Sequence, residues 1–215
     1  MADTTASLRQ TQCEASLPGG APSQASAERP PRCGQEDGDA ERAEIADRLR
    51  TALRGLASTV VVVSSEALGE RYAMAATSFT PVSMDPPSVL VCINRSASMF
   101  RPIMAGAGFC VNLLAPRHEA LARACSGGDR ARRFEIGDFV SHAGGAPYLR
   151  DAQAVIQCAQ DGRYLYGTHA IIIGRVRSVH AAPCIDPLIY VSGRYAGLGQ
   201  AGGDRPVPEG GGGPG

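Results

Sequence analysis

The chain has 215 residues, of which 44% are hydrophobic, 20% charged and 5% aromatic, with a formal net charge of zero and no Trp. That length fills one domain of ordinary size with chain to spare, and the longest apolar runs, such as Val60–Val63 and Ala170–Ile173, are far too short to span a bilayer. All 21 basic residues are Arg, which excludes chemistry that needs an ε-amine, such as a Schiff-base lysine or the lysine of a phosphate-binding P-loop.

In chain order, residues 1–43 come first. Leu8 and Leu17 are the only branched aliphatic residues there, so this extension cannot bury enough surface to offset the entropy of ordering it and is expected to be disordered. No charged-then-apolar leader precedes a small-residue cleavage site, so a cytoplasmic location is expected. Residues 44–198 form the expected folding unit. Ile45, Leu49, Ala52, Leu53 and Leu56 recur at helical spacing, which predicts an amphipathic helix over residues 41–54. Strands are predicted at Ser58–Ser65, Tyr72–Phe79, Ser88–Ile93 and Gly108–Leu114, each a compact run bounded by Gly, Pro, Asp or Ser. Short helices follow at Ser98–Met104 and Arg117–Ala124. Further strands lie at Ala154–Gln160, Arg163–Tyr166, Thr168–Val179 and Leu188–Tyr195. The tail 199–215, with eight Gly and three Pro, is expected to be disordered. Many short strands with few helices predict a mainly β fold, a closed antiparallel barrel of Greek-key type. A parallel βαβ sheet fails because helices do not alternate with strands and no G-x-G-x-x-G follows a strand.

Charge is unevenly divided. Residues 1–44 carry four Arg against eight acidic residues, and residues 45–198 carry sixteen Arg against eleven. The mildly cationic middle reads as a solvated surface or a pull on a small anionic ligand. Dispersed Arg and few aromatics argue against nucleic acid. The cluster Arg130, Arg132 and Arg133 reads as a solvated loop. The seven Cys form no C-x-x-C pair and no zinc spacing, so they read as reduced thiols and no metal is expected. There is no G-x-S-x-G elbow and no H-E-x-x-H, and none of the four His has a carboxylate at a spacing that suggests a triad. With no nucleophile, base or metal in sight, the chain either binds without reacting or lets a cofactor supply the reactivity.

Two segments are organised for such a group. Met74–Pro87 is a small, hydroxyl-rich strand that a flat ligand can approach closely, followed by a Pro-bracketed turn. Asn94–Ser98 gathers hydroxyls and a guanidinium ahead of a short helix, which suits an anion or an ordinary N-cap.

With Val89–Asn94, Phe109–Leu114, Gly167-Thr168-His169 and Pro187–Tyr195 added in the same order, the run from Leu56 to Leu198 resembles the flavin reductase family that folds as an FMN-binding split barrel. These are the small components of two-component flavin-dependent monooxygenases. The resemblance implies a Greek-key split β-barrel and a homodimer that binds FMN or FAD and uses NADH, or else NADPH. It puts the isoalloxazine along Ala76, Thr77, Ser78 and Phe79, and the phosphate end at Asn94, Ser96 and Ser98. His169, Arg194 and Tyr195 are implied near the nicotinamide. Ala75 stands where the family often has Thr. No residue is needed as a proton-transfer catalyst: hydride passes from the dihydronicotinamide to the flavin, and the protein stacks the two rings. The implied function is an NAD(P)H:flavin oxidoreductase that supplies reduced flavin to a partner monooxygenase. The alternatives are a non-catalytic flavin- or haem-binding split barrel, and an oxidase acting on its own substrate. For the latter no further acid–base residue is found.

Overall fold

The computed structural model describes residues 37–127, 130–141 and 144–198. Residues 1–36 of the expected extension and the tail 199–215 lie outside the described residues, as do Cys13, Cys33, His142 and the Arg130 side chain. The chain divides into two units at Glu44 and Ile45, and the second holds every described strand. The first helix, α1 (Asp37–Arg54), carries Ile45, Leu49 and Leu53 as a stripe that Leu56 continues, and all four are exposed.

Twelve strands follow among the described residues. They are β1 (Ser58–Thr59), β2 (Val61–Ala67), β3 (Glu70–Ala76), β4 (Phe79–Met84), β5 (Pro87–Asn94), β6 (Phe109–Leu113), β7 (Phe139–Val140), β8 (Tyr148–Leu149), β9 (Ala154–Tyr166), β10 (His169–Ala181), β11 (Ile189–Val191) and β12 (Arg194–Ala196). Short helices intervene: α2 (Phe100–Met104), α3 (Glu119–Ser126) and α4 (Arg130–Ile136). Seven strands make one antiparallel sheet in the order β3-β2-β6-β9-β10-β5-β4, and β1-β11-β12 form a small second sheet. The two edges of the large sheet, β3 and β4, are consecutive in the chain, with only Thr77 and Ser78 between them. Three peptide steps reach at most about 11 Å. The sheet therefore curls until its edges nearly meet, which makes a barrel with a seam at Thr77-Ser78.

β2 is buried on both faces, and its period of two sorts its side chains. Val61 and Val63 join Val91, Ile93, Phe109, Val111 and Ile172 in the barrel interior. Val62, with Val60 just before the strand, packs outward on Leu121, Ala122 and Cys125 of α3 and on Leu114, Phe139 and Leu188. Gly174 of β10 has no room for a side chain. A Cβ there would press into the Phe109 ring and lie 2.9 Å from Cys158 Cβ.

The mainly β split barrel agrees with the sequence reading, with local differences. Ser58–Ser65 is broken at Val60, whose N–H donates to the Leu188 carbonyl at 2.8 Å and ties in the small sheet. The predicted strand Tyr72–Phe79 stops at Ala76, and its last residue opens β4, a strand the sequence reading took for a turn. Pro81 is tolerated because β4 is an edge strand with a register shift between Pro81 and Ser83. Ala154–Gln160 and Arg163–Tyr166 are one strand, and Leu188–Tyr195 is a hairpin turning at Ser192 and Gly193, both at positive φ.

Candidate functional site

The seam places the first group of predicted residues. Ala76 ends β3 with its side chain buried, Phe79 starts β4 against the barrel core, and Thr77 and Ser78 are exposed between them. Ser78 Oγ donates to the Cys92 carbonyl at 3.2 Å and accepts from the Cys92 N–H at 3.3 Å. It thus stands in for the β4 residue that the ladder lacks, and its hydroxyl is committed to β5. Thr77 has no such tie among the described residues and faces a cleft.

The second group lies two residues further along β5. Asn94 Oδ1 accepts both the Ser96 N–H at 2.9 Å and the Ser96 hydroxyl at 2.8 Å, an Asx turn that shapes the loop. The residue before α2 is Met99, without a side-chain cap, so neither Ser96 nor Ser98 caps that helix. Ser98 is half-buried. Across the ladder His169 pairs with Asn94. His169 is exposed, with Nδ1 2.9 Å from Thr168 Oγ1. The Arg95 N–H donates to the Thr168 carbonyl at 2.9 Å, which locks the two loops together. Ser78, Asn94, Ser96 and His169 therefore gather at one end of β5, next to Thr77.

The cleft itself, about 540 Å³, has Thr77 in its lining but none of Ser78, Asn94, Ser96 or His169. Val60, Ala75, Ala76 and Thr77 form one wall. Arg123, Ser126 and Gly127 come from the C-terminal end of α3, and Tyr190, Gly193 and Tyr195 from the β11–β12 hairpin. Tyr195 is held on several sides. Its ring meets Tyr190 edge-on with centroids 5.1 Å apart, the Arg123 guanidinium lies 4.9 Å over its face, and its hydroxyl is 3.5 Å from Ser126 Oγ. Arg194 is exposed and is not among the residues lining the cleft, as strand alternation beside Tyr195 dictates. Sequence reasoning missed Arg123, Ser126, Gly127 and Tyr190. Arg123, Ser126 and Gly127 reach the cleft through tertiary packing and no local motif marks them, whereas Tyr190 lies inside the Pro187–Tyr195 segment already singled out.

Arg133 corrects the solvated-loop reading of its cluster. Its side chain is only 7% exposed, and its two terminal nitrogens donate to the carbonyls of Ala73, at 2.7 Å, and Gly127. One side chain thus fastens the α3 end of the cleft to β3. Its Nε is buried without a partner.

Elsewhere the chemistry is quiet. A larger concavity of about 830 Å³ beside the β2–β3 hairpin is lined by Glu66–Gly69, Gly108, Gln157 and Arg177, among others, and contains none of the predicted site residues. His118 does have a carboxylate partner, which the sequence reading did not find: its Nε2 lies 2.9 Å from Asp151 Oδ2. Its Nδ1 accepts the Ala115 N–H at 3.0 Å, so Nε2 carries the proton and both ring nitrogens are spent on holding a loop. Burial alone would raise the Asp151 carboxyl. Hydrogen bonds from His118 and Arg117, with the charge of Arg117, outweigh it and hold the group below the usual carboxylate range. Burial pushes the thiols of Cys110, Cys125 and Cys158 up to about 12, so none of them is a thiolate nucleophile at neutral pH. No cluster of His, Cys, Asp and Glu fit to hold a metal occurs among the described residues.

The cleft's small-residue wall, free Thr77 hydroxyl and rigid tyrosine suit a flat heteroaromatic ring, and its volume suits a ligand of that size. Comparison with known proteins points the same way. The model of the flavin reductase like domain matches residues 53–199. The chain is 34% identical over 161 residues to the reductase component of the FADH(2)-dependent resorcinol hydroxylase of Rhizobium sp. strain MTP-10005, covering 74% of this chain and 90% of that protein. It is 35% identical over 165 residues to the FMN reductase (NADH) RutF of Methylorubrum populi, covering 75% and 82%. Among solved structures, the NADH:FAD oxidoreductase SgcE6 of Streptomyces globisporus C-1027, in complex with NAD and FAD fragments, superposes with a TM-score of 0.66 at 28% identity, covering 78% of this chain and 96% of that one. By sequence and fold, this chain belongs to the flavin reductase like domain family.

Proposed function

We propose that this protein is an NADH-dependent flavin reductase that reduces FMN or FAD and supplies the reduced flavin to a separate monooxygenase. The observation that carries this reading is the family match over the whole barrel, together with the cleft between the Ala75–Thr77 wall and Tyr195. A bound flavin supplies the electrophilic N5 that accepts hydride from C4 of the dihydronicotinamide.

The chain's own residues bind and orient. Ala75 and Ala76 leave the β3 backbone open to a ring edge, and Thr77 offers a hydroxyl to its heteroatoms. Tyr195, immobilised by Tyr190 and Arg123, is a fixed wall against which rings stack. Ser96 and Ser98 serve the phosphate end, with Asn94 shaping their loop. His169, opposite Asn94, orients the nicotinamide carboxamide. Phe79 and Ser78 act beneath the site, by packing and by closing the seam. Arg194 acts outside the cleft. Holding two rings at reacting distance removes much of the entropic barrier without any acid or base.

The working form is a homodimer. The exposed stripe Ile45, Leu49, Leu53 and Leu56 and the exposed Tyr164-Leu165-Tyr166 segment offer apolar surface for a second copy. Residues 44–198 are the functional domain, and free cysteines suit a reducing cytoplasm.

Purified protein mixed with NADH and FMN, and separately FAD, should consume NADH only when flavin is present. Flavin binding without NADH consumption would leave a binding protein in place of the enzyme.

A further inference from the structure

Arg123 is the one cation among the described residues that line the cleft. It is not a free cation. Both Nε, at 2.8 Å, and Nη2, at 2.6 Å, donate to Oε1 of Glu119, one helical turn earlier. Glu precedes Arg at i,i+4, the favourable order, and Glu119 sits in the first turn of α3, where the helix dipole steadies a carboxylate. The guanidinium plane is meanwhile fixed over the Tyr195 ring. Arg133, which also reaches this wall at Gly127, is turned inward onto backbone carbonyls. The α3 wall therefore shows an incoming ligand a guanidinium whose charge is neutralised by its own helix.

We propose that the Glu119–Arg123 pair is a specificity determinant for the pyridine nucleotide: it lets the cleft accept the uncharged ribose 2′-hydroxyl of NADH and denies a 2′-phosphate the cation it needs. This rests on the reading of the cleft as the site where reduced pyridine nucleotide meets flavin. Discrimination of this kind works by what is withheld. A phosphate dianion near a lone guanidinium gains Coulomb energy and a bidentate hydrogen-bond fork, whereas near a closed Glu–Arg pair the attraction is offset by repulsion from the carboxylate. Glu119 does not itself line the cleft, so removing its charge reaches the wall only through Arg123.

The test is the Glu119→Gln variant, assayed as kcat/KM for NADPH divided by kcat/KM for NADH with the same flavin. Freeing one charge at a partly exposed site should raise this ratio by about five- to tenfold at low salt. The gain should collapse in about 0.5 M NaCl, where screening is short-ranged. Arg123→Gln should do the opposite and lower the ratio below that of the parent. An unchanged ratio in Glu119→Gln, or a gain that salt leaves intact, overturns the proposal. Its failure is distinct from failure of the site reading, because a parent protein that oxidises no NADH in the presence of flavin refutes the latter before any variant is made.

Discussion

Thr77 and Ser78 are neighbours with the same chemistry, yet the seam gives them different work, and replacing each with Val should separate the two roles. Ser78 Oγ makes two long hydrogen bonds, 3.2 and 3.3 Å, to one residue of β5 at an exposed position. Water can replace part of what is lost, so the cost of Ser78→Val is about 1 kcal/mol. In a domain of this size that lowers Tm by roughly 2–4 °C. Thr77 carries no such tie among the described residues and lines the cleft, so Thr77→Val should leave Tm within about 1 °C. It should instead weaken FMN by roughly tenfold, the worth of one neutral hydrogen bond at about 1–1.5 kcal/mol. Thermal melts without ligand give the first quantity, and quenching of flavin fluorescence gives the second. The reasoning is refuted if Ser78→Val loses affinity at unchanged Tm while Thr77→Val binds FMN like the parent.

His169→Ala should raise KM for NADH and slow hydride transfer by about 5–30-fold in all, with flavin affinity nearly intact and no new pH dependence. A loss of a hundredfold or more would make His169 a proton-transfer catalyst instead. Gly174→Ala should cost about 1–3 kcal/mol, because its Cβ would overlap the Phe109 ring and crowd Cys158; a Tm equal to the parent's would contradict the packing. Alkaline pH should destabilise the fold through Cys110, Cys125 and Cys158, whose thiols stay neutral in the folded chain to about pH 12. The unfolded chain ionises them from its ordinary value of 9.0 upward. Stability is thus intact below that value and falls as pH rises past it, by about 1.4 kcal/mol for each thiol at pH 10. Urea midpoints at pH 8 and pH 10 measure the fall, and equal midpoints would show that the thiols ionise in the folded state.

The strands were legible where one residue pattern served one purpose. Val60–Val63 is continuous because both faces of its strand are covered, and in Ala170–Ile173 the buried Ala170 and Ile172 alternate with half-buried Ile171 and Ile173; such apolar runs are conspicuous. β4 was not legible because Pro81 and Ser83 lie on an edge, where burial imposes no alternation. Ala76 and Thr77, which line the cleft, could be named because they lie in one short segment next to a turn. On the opposite wall of the cleft only Tyr195 could be. Arg123 meets Tyr195, and His118 meets Asp151, only after the barrel brings distant segments together. Arg133 was misread for a related reason: a guanidinium in a run of three Arg looks like surface, and only the carbonyls of Ala73 and Gly127 explain its burial.

The seam also bears on the order of events when the chain folds. β3 pairs with β2, and β4 with β5, as two local hairpins, each able to form from nearby residues. What separates them around the barrel is β6, β9 and β10, which come much later in the chain. The edges on either side of Thr77-Ser78 can take their final spacing only once those distant strands have docked, so the step that completes the curl also completes the cleft. A ligand that grips Thr77 and the β11–β12 hairpin at once therefore selects the fully assembled barrel over every partly assembled one. It acts as a late staple, and its concentration in the cell sets part of the population that stays closed.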